Sequence, residues 1–566
     1  MKIASMPLCD GGILIVTLMT TAAQHDWGWC HVRCPYRKMS PCQHSKGVIK
    51  AQPSLPCLEV PERALAPQTS SRLHPTLFKM KSSPSMWSAV ASLVAGALAN
   101  KEIPVDAERA AELYDNGARH EHIMQLKAKV WADLDAQGVF DSTQYTSFNK
   151  DTDYVACDNG YASYVPGDAK YTFKCQDLDL YDFKTHAELG SAYGRGAGSW
   201  GWTSPEGREF VGIAQEDGTS FSEVSKEGKL IYLGRLPQYT TAQPSLWREI
   251  KGYKSYLVIG SEAVDHGVQI FDLRKLLDVD PASPKIFSNE ADLDGWWNEE
   301  LPLGRSHNVI TNEERNYGGA TGFQPRDGPL AAGLVFFDLT DPSNPVTLGG
   351  SGEDGYVHDA QCLVYRGPDK KYVERDICYG YNEDSLTIYD VEDKSNITII
   401  SRISYETAQY THQGWVLDPQ WQNYIILDDE YDEVEVRDNG GIAYPVSYIW
   451  DISSLENPKL TGQYTGPRSG IDHNQFIIDG FAHQSNYALG YHVLDVRSIP
   501  DDPTGKSIKQ VAYFDIHPED DNLPGGGNVT FTGTWSHYPY FKSGYVVINT
   551  MDRGAFVVKK SKDAKW

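Results

Sequence analysis

The chain has 566 residues, of which 40% are apolar, 22% charged and 11% aromatic; 76 acidic against 51 basic side chains leave a net charge of −25. So acidic a chain lacks the electrostatic footprint of a nucleic-acid or anionic-membrane binder. No apolar stretch reaches the roughly 20 residues a spanning helix needs, whereas 50 Gly, 33 Tyr and 14 Trp point to many short strands joined by tight turns.

Residues 1–79 hold five of the nine cysteines (Cys9, Cys30, Cys34, Cys42 and Cys57) and show neither a helical nor a strand period. At Met80 the pattern changes. Lys81 supplies a positive start, Trp87 to Leu98 an apolar run, and Ala97-Leu98-Ala99 a small-residue cleavage box before Asn100. That is the layout of a secretory signal peptide over 80–99, and it makes residues 1–79 a mis-extended translation start. A competing layout begins at Met1, with Gly11 to Met19 as apolar core and a cut near Ala23, but Asp10 beside that core weakens it. Both layouts export the protein to the extracellular space. Residues 1–99 carry 10 basic and 4 acidic side chains, which leaves 41 against 72, a net −31, for residues 100–566.

The cysteines of the mature part agree with export. Cys157, Cys175, Cys362 and Cys378 form two sequence-near pairs, as disulfides in an oxidising compartment would leave them; buried free thiols are the alternative. Asn396-Ile397-Thr398 and Asn528-Val529-Thr530 are glycosylation sequons.

Residues 100–150 read as a helical extension. Apolar positions recur at three and four spacing (Ala107, Ala110, Ala111, Leu113, then Ile123, Leu126, Val130, Leu134), which predicts one or two helices packed on the outside of the strand-rich remainder of the chain. Residues 151–566 are repetitive. Apolar-aromatic runs ending in Asp recur at Val268–Leu273, Leu334–Leu339, Leu386–Val391, Tyr448–Ile452 and His492–Val496, with Asp272, Asp338, Asp390, Asp451 and Asp495 as the repeated acid. A second column opens each unit at Ser199-Trp200, Leu246-Trp247, Ser306-His307, Val357-His358, Thr411-His412, Asp472-His473 and Ser536-His537, with successive spacings of 47, 60, 51, 54, 61 and 64 residues. Seven units of that length, each with room for four short strands, predict an all-β, seven-bladed β-propeller. The opening dyad would start each innermost strand and the Asp-terminated run would be a middle strand buried on both faces. The final run Gly554–Val558 would pair with material near residues 155–180 to close the ring.

The stretches Trp200-Gly201-Trp202-Thr203, Asp217-Gly218-Thr219-Ser220-Phe221, Trp247-Arg248-Glu249-Ile250, Arg305-Ser306-His307-Asn308, His358-Asp359-Ala360-Gln361, Thr411-His412-Gln413-Gly414-Trp415, Asp472-His473-Asn474 and Tyr538-Pro539-Tyr540-Phe541 resemble the choice-of-anchor B family, whose units are called LVIVD repeats. The resemblance covers about residues 150–562. It implies a secreted or surface-attached propeller and lends no catalytic residue. The family marks its last blade by the Tyr-Pro-Tyr-Phe segment, which sets His537 apart from the other four histidines. The chain ends in polar residues 559–566 with no sorting motif, so the resemblance implies a released member.

Two chemistries compete for the histidine column. His307, His358, His412 and His473, crowding one channel mouth near Asp359 and Asp472, would suit a divalent transition metal. A repeated polar residue at a strand start also suits a hydrogen bond to the next blade's backbone, and equivalent positions around a channel are usually too far apart for four ligands to reach one ion. The Asp column recurs too often for catalysis and reads as turn capping. Asp292-Leu293-Asp294-Gly295 lacks the full calcium-loop pattern and reads as a solvated acidic loop. Nucleophile-elbow, phosphate-loop, dinucleotide and His-Glu-x-x-His signatures are absent from the sequence. The leading expectation is a secreted module that binds an extracellular protein or carbohydrate, with Trp200, Trp202, Trp247, Trp415 and Trp535 as aromatic candidates. The rival is a metal-dependent hydrolase or lactonase at the channel mouth, with Asp359 or Asp472 as general base.

Overall fold

The computed structural model describes residues 100–148 and 153–566; the expectations for residues 1–79 and for the signal segment 80–99 lie outside the described residues. The described strands form seven sheets, the blades of a seven-bladed propeller, antiparallel throughout except for the edge strand Lys285–Ile286, which runs parallel to Leu230–Pro237 in blade 1. Innermost strands of blades 1 to 7 are Gly196–Thr203, Arg248–Tyr253, Asn308–Asn312, Asp359–Val364, Thr411–Val416, Asn474–Ile478 and Thr534–Tyr538. Each packs beside the next around the ring, and blade 7 packs against blade 1.

The Asp-terminated runs are the third strands of blades 2 to 6. Their apolar residues are buried on both faces, since each sheet is sandwiched between two others. The terminal acid then stops the strand. Asp272, Asp338, Asp390, Asp451 and Asp495 each accept a hydrogen bond from the backbone N–H two residues on, at Arg274, Thr340, Glu392, Ser453 and Arg497. Six blades share a further device: the register between third and fourth strands shifts by a bulge, as at Phe336/Phe337 and Ile388/Tyr389. A bulge sharpens the local twist, which each blade needs to splay from the axis.

Blade 7 combines the first and last strands of the ring. Its strands Thr534–Tyr538, Tyr545–Thr550 and Gly554–Lys560 are completed by Leu178–Thr185, with Phe556 opposite Phe183. The closing strand therefore lies later than the 155–180 expected for it. Thr172–Gln176 joins the outer edge of blade 6 instead, and Val155 contributes a single bridge to Leu180.

Both cysteine pairs are disulfides. Cys157–Cys175 ties the segment before blade 1 together, and Cys362–Cys378 links facing residues on the first two strands of blade 4. Asn396 and Asn528 are both exposed. No helix among the described residues is long and apolar enough to cross a membrane.

The helical extension is not on an outer wall. After a short turn at Ala107–Tyr114, Gly117 takes a left-handed φ of 77° and reverses the chain into the helix Ala118–Ala136. That helix meets Tyr356, Tyr410, Phe531 and Trp247, which all lie just before inner strands. It thus lies across the proximal end of the propeller, where the inner strands begin.

Candidate functional site

Under this helix the structure gathers the histidine column. Ring centroids step from His307 to His358 (4.3 Å), to His412 (4.2 Å), to His473 (4.6 Å) and on to Trp535 (4.8 Å). Five consecutive blades thus supply a nearly continuous arc of rings in tilted and edge-on contact. Two histidines tie one blade to the next: Nδ1 of His358 donates to the His412 carbonyl at 2.8 Å, and Nδ1 of His473 to the Trp535 carbonyl at 2.7 Å. His412 Nδ1 lies 3.2 Å from Asp428 Oδ1. His307 Nδ1 faces Glu262 Oε1 at 2.6 Å, and its Nε2 lies 2.8 Å from Nε2 of His358. His358 spends its Nδ1 proton on a carbonyl, which leaves its Nε2 to face Nε2 of His307.

The middle of the arc has its own cation. One nitrogen each of His412 and His473 and one oxygen of Glu430 lie within 4.8 Å of one another, a donor set that would suit a transition metal. Lys127 of the helix reaches the same carboxylate, with Nζ 2.7 and 2.8 Å from its two oxygens, and the Tyr487 hydroxyl donates to it as well. Lys127 is 3% and Glu430 1% exposed, so neither charge has water to fall back on. Burial pushes Glu430 up, yet Lys127 and the two imidazoles outweigh it and hold the carboxyl well below its ordinary range. Burial, with help from neighbouring imidazoles, holds His358 and His412 well below theirs, and it brings His473 down to about 4 against the opposing pull of Glu430.

The helix is seated by further contacts. His120 Nδ1 lies 2.7 Å from the Tyr410 hydroxyl, Trp131 meets Trp247 at a tilt with centroids 4.9 Å apart, and its Nε1 donates to the Phe531 carbonyl at 2.7 Å. At the helix start Arg326 pairs with buried Glu383 through two bonds of 2.7 and 2.9 Å and donates to the Tyr114 carbonyl.

The column is not uniform. In blade 7 the arc position is filled by Trp535, while His537, two residues later, bonds Ser485 and packs on Tyr491 and Phe476. Trp200 belongs to the other end. It meets Phe476, Tyr538 and Tyr540 at centroid distances of 5.6, 5.6 and 5.8 Å, and Trp415 meets Phe476 at 5.1 Å. Lys251 Nζ sits 5.7 Å from the Trp200 ring and 5.8 Å from Phe476. Blades 1, 2, 5, 6 and 7 thus build an aromatic cluster with one cation towards the distal ends of the inner strands, where Trp200, Trp415 and Tyr540 keep partial exposure. Trp202 stacks on Phe210 within its own blade. Asp359 lies buried in the channel, where burial raises its carboxyl and Lys251 opposes the rise. Asp472 is buried with no hydrogen-bond partner on either oxygen, and burial followed by Asp428 and Asp432 pushes it well above its usual range. Asp292 and Asp294 serve their own loop, pairing with Lys285 and Lys275.

Lys127, Trp131 and Tyr487 were not among the residues the sequence singled out. The runs Asp428-Asp429-Glu430 and Asp432-Glu433, which read from the sequence as solvated acidic loops, are corrected by the structure: Asp428, Asp429, Glu430 and Glu433 are all buried. Ile123, Lys127 and Trp131 share a helix face at four-residue spacing, but a lysine on such a face ordinarily reads as solvated. Glu430 stands in the acidic run Asp428-Asp429-Glu430, 303 residues from Lys127.

The buried imidazoles give a pH prediction. His473 has an ordinary value of 6.5 and a folded value of about 4. As pH falls below 6.5 the unfolded chain takes up a proton that the folded protein refuses, so the stability from this residue is present above 6.5 and lost on acidification. Relative to His473→Gln, the wild type should lose about 1.4 kcal/mol per pH unit over that window. Urea unfolding of both proteins at stepped pH checks it; parallel profiles would count against a neutral, buried His473.

No family model matches the chain, and no curated protein matches it. Among solved structures, one match is the crystal structure of the computationally designed Ika8 protein: 9% identity, a TM-score of 0.38, and coverage of 72% of this chain and 95% of that one. A likeness at that score adds nothing to the fold read from the sheets themselves.

Proposed function

We propose that the protein is a secreted binding module that recognises an extracellular protein or carbohydrate through the distal end of its propeller. The observation that carries this reading is the asymmetry of the two ends. The proximal end is covered by the helix Ala118–Ala136 and its ring arc is buried, whereas at the distal end Trp200, Trp415 and Tyr540 retain exposed ring surface beside Lys251. Partly exposed aromatic side chains with a nearby ammonium fit the apolar face of a sugar ring or an aromatic or acidic side chain. The two disulfides are compatible with an extracellular setting, and the signal layout at 80–99 belongs to the same proposal. So do membership of the choice-of-anchor B family, supported by the seven repeat openings, and glycans at exposed Asn396 and Asn528.

The experiment is a screen of residues 100–566 on arrays of glycans and purified extracellular proteins, with Trp200→Ala, Trp415→Ala as the comparison. Loss of a wild-type signal by tenfold or more in the double variant, with its circular dichroism unchanged, is the expected result. A signal that survives the double variant places recognition elsewhere.

The rival reading, a metal-dependent hydrolase or lactonase, rests on the convergence of His412, Glu430 and His473. In this arrangement the Lys127 ammonium already pairs with that carboxylate and the helix covers the rings, so the donors act as a fastening for the helix.

A further inference from the structure

The loop between blades 6 and 7 carries a second acidic group. It runs from Asp515, just after the outer strand Lys509–Phe514, to Gly533, just before the inner strand of blade 7. One carboxylate oxygen each of Asp515, Asp520 and Asp521 lies within 4.8 Å of the other two. Two neighbouring cations are used at the edges of the group. Arg468 Nη1 donates to Asp515 Oδ2 at 2.5 Å, and Lys174 Nζ pairs with Asp521 Oδ1 at 3.0 Å. Asp515 Oδ1 accepts the His517 backbone N–H at 3.0 Å. The nearby His517 and Arg553 are engaged with Asp552 and Glu519.

Asp520 is different. It is 5% exposed, and neither of its carboxylate oxygens has a hydrogen-bond partner. Buried polar atoms are almost always satisfied, and a carboxylate with no donor on either oxygen is among the costliest groups to leave so. Here it faces the carboxylates of Asp515 and Asp521, with Glu519 adding to the repulsion and His517 opposing it.

We propose that Asp515, Asp520 and Asp521 form a binding site for a hard divalent cation of the calcium class. All three ligands are oxygens, the choice not of zinc or copper but of calcium, which takes oxygen ligands at about 2.3–2.6 Å with a high coordination number. The site would anchor the loop whose Phe531 and Val529 carbonyls receive Trp131 of the covering helix and Arg437. Calcium would thus hold the proximal cover in place while taking no part in it.

The test is calcium titration of chelator-treated protein followed by isothermal calorimetry and thermal unfolding, for wild type, Asp520→Asn and Asp521→Asn. One calcium per chain, a rise in wild-type unfolding temperature with calcium, and affinity weakened at least tenfold in both variants is the expected result. Asp520→Asn is isosteric and removes the buried charge, so its calcium-free unfolding temperature should equal or exceed that of the wild type. No calcium uptake by the wild type at millimolar concentration, or uptake that both variants retain, would overturn the proposal; either result would indicate a protonated Asp520 in place of a cation site.

Discussion

Lys127→Met should cost the folded protein about 3–5 kcal/mol, the range for removing one partner of a buried ion pair. Glu430 would be left at 1% exposure among His412, His473 and Tyr487 with no counter-charge. Its depressed titration would go too. Present above the ordinary carboxylate value and lost as pH falls through the folded one, that stability belongs to the pair and not to the carboxylate alone. Urea unfolding at neutral pH reads the cost. Lys127→Met, Glu430→Gln should recover most of it, because removing both charges leaves no bare ion in the interior. A single-variant cost under about 1 kcal/mol, the range for exposed pairs, would mean that the helix is not seated where these contacts put it.

Phe556→Ala should be as damaging, at about 3–5 kcal/mol, for a different reason. Phe556, on the last strand Gly554–Lys560, is fully buried between the preceding strand Tyr545–Thr550 and the closing strand Leu178–Thr185. It stacks on Phe183 with centroids 4.2 Å apart and meets Phe173 edge-on at 5.6 Å. Truncation opens a cavity at the seam where the two ends of the ring join, where only side-chain packing and one strand ladder hold the circle shut. The urea midpoint should fall, and limited proteolysis should first cut near residues 178–185. Equal loss from a buried phenylalanine in a blade made of consecutive strands, with no such local cutting, would show that the seam has no special weight.

The propeller was legible because its signals are local and repeated. An Asp that ends an apolar run caps its own turn two residues on, so five copies of that acid mark five strand ends wherever the blades sit in space. The disulfide pairs were legible for the same reason, being near in sequence and, in blade 4, directly cross-strand. The hub was only half legible. Four histidines fall on the arc, but Trp200 and His537 lie further along their strands. Ala197 and Trp535 are buried in one apolar cluster at the proximal end instead. The helix position was not legible at all: nothing local distinguishes a lysine that will meet Glu430 across 303 residues from one that will meet water. Only the fold supplies that partner, and with it the conclusion that the histidine arc is buried beneath the helix.

That conclusion turns on which cation neutralises Glu430. Protein secreted from an exporting host, incubated with excess zinc and desalted, can be assayed for transition metal per chain beside a His412→Ala control. Lysine as the resident cation predicts sub-stoichiometric zinc, equal in the two proteins. One zinc per chain in the wild type, abolished in the control, would contradict it and return the histidine arc to catalysis.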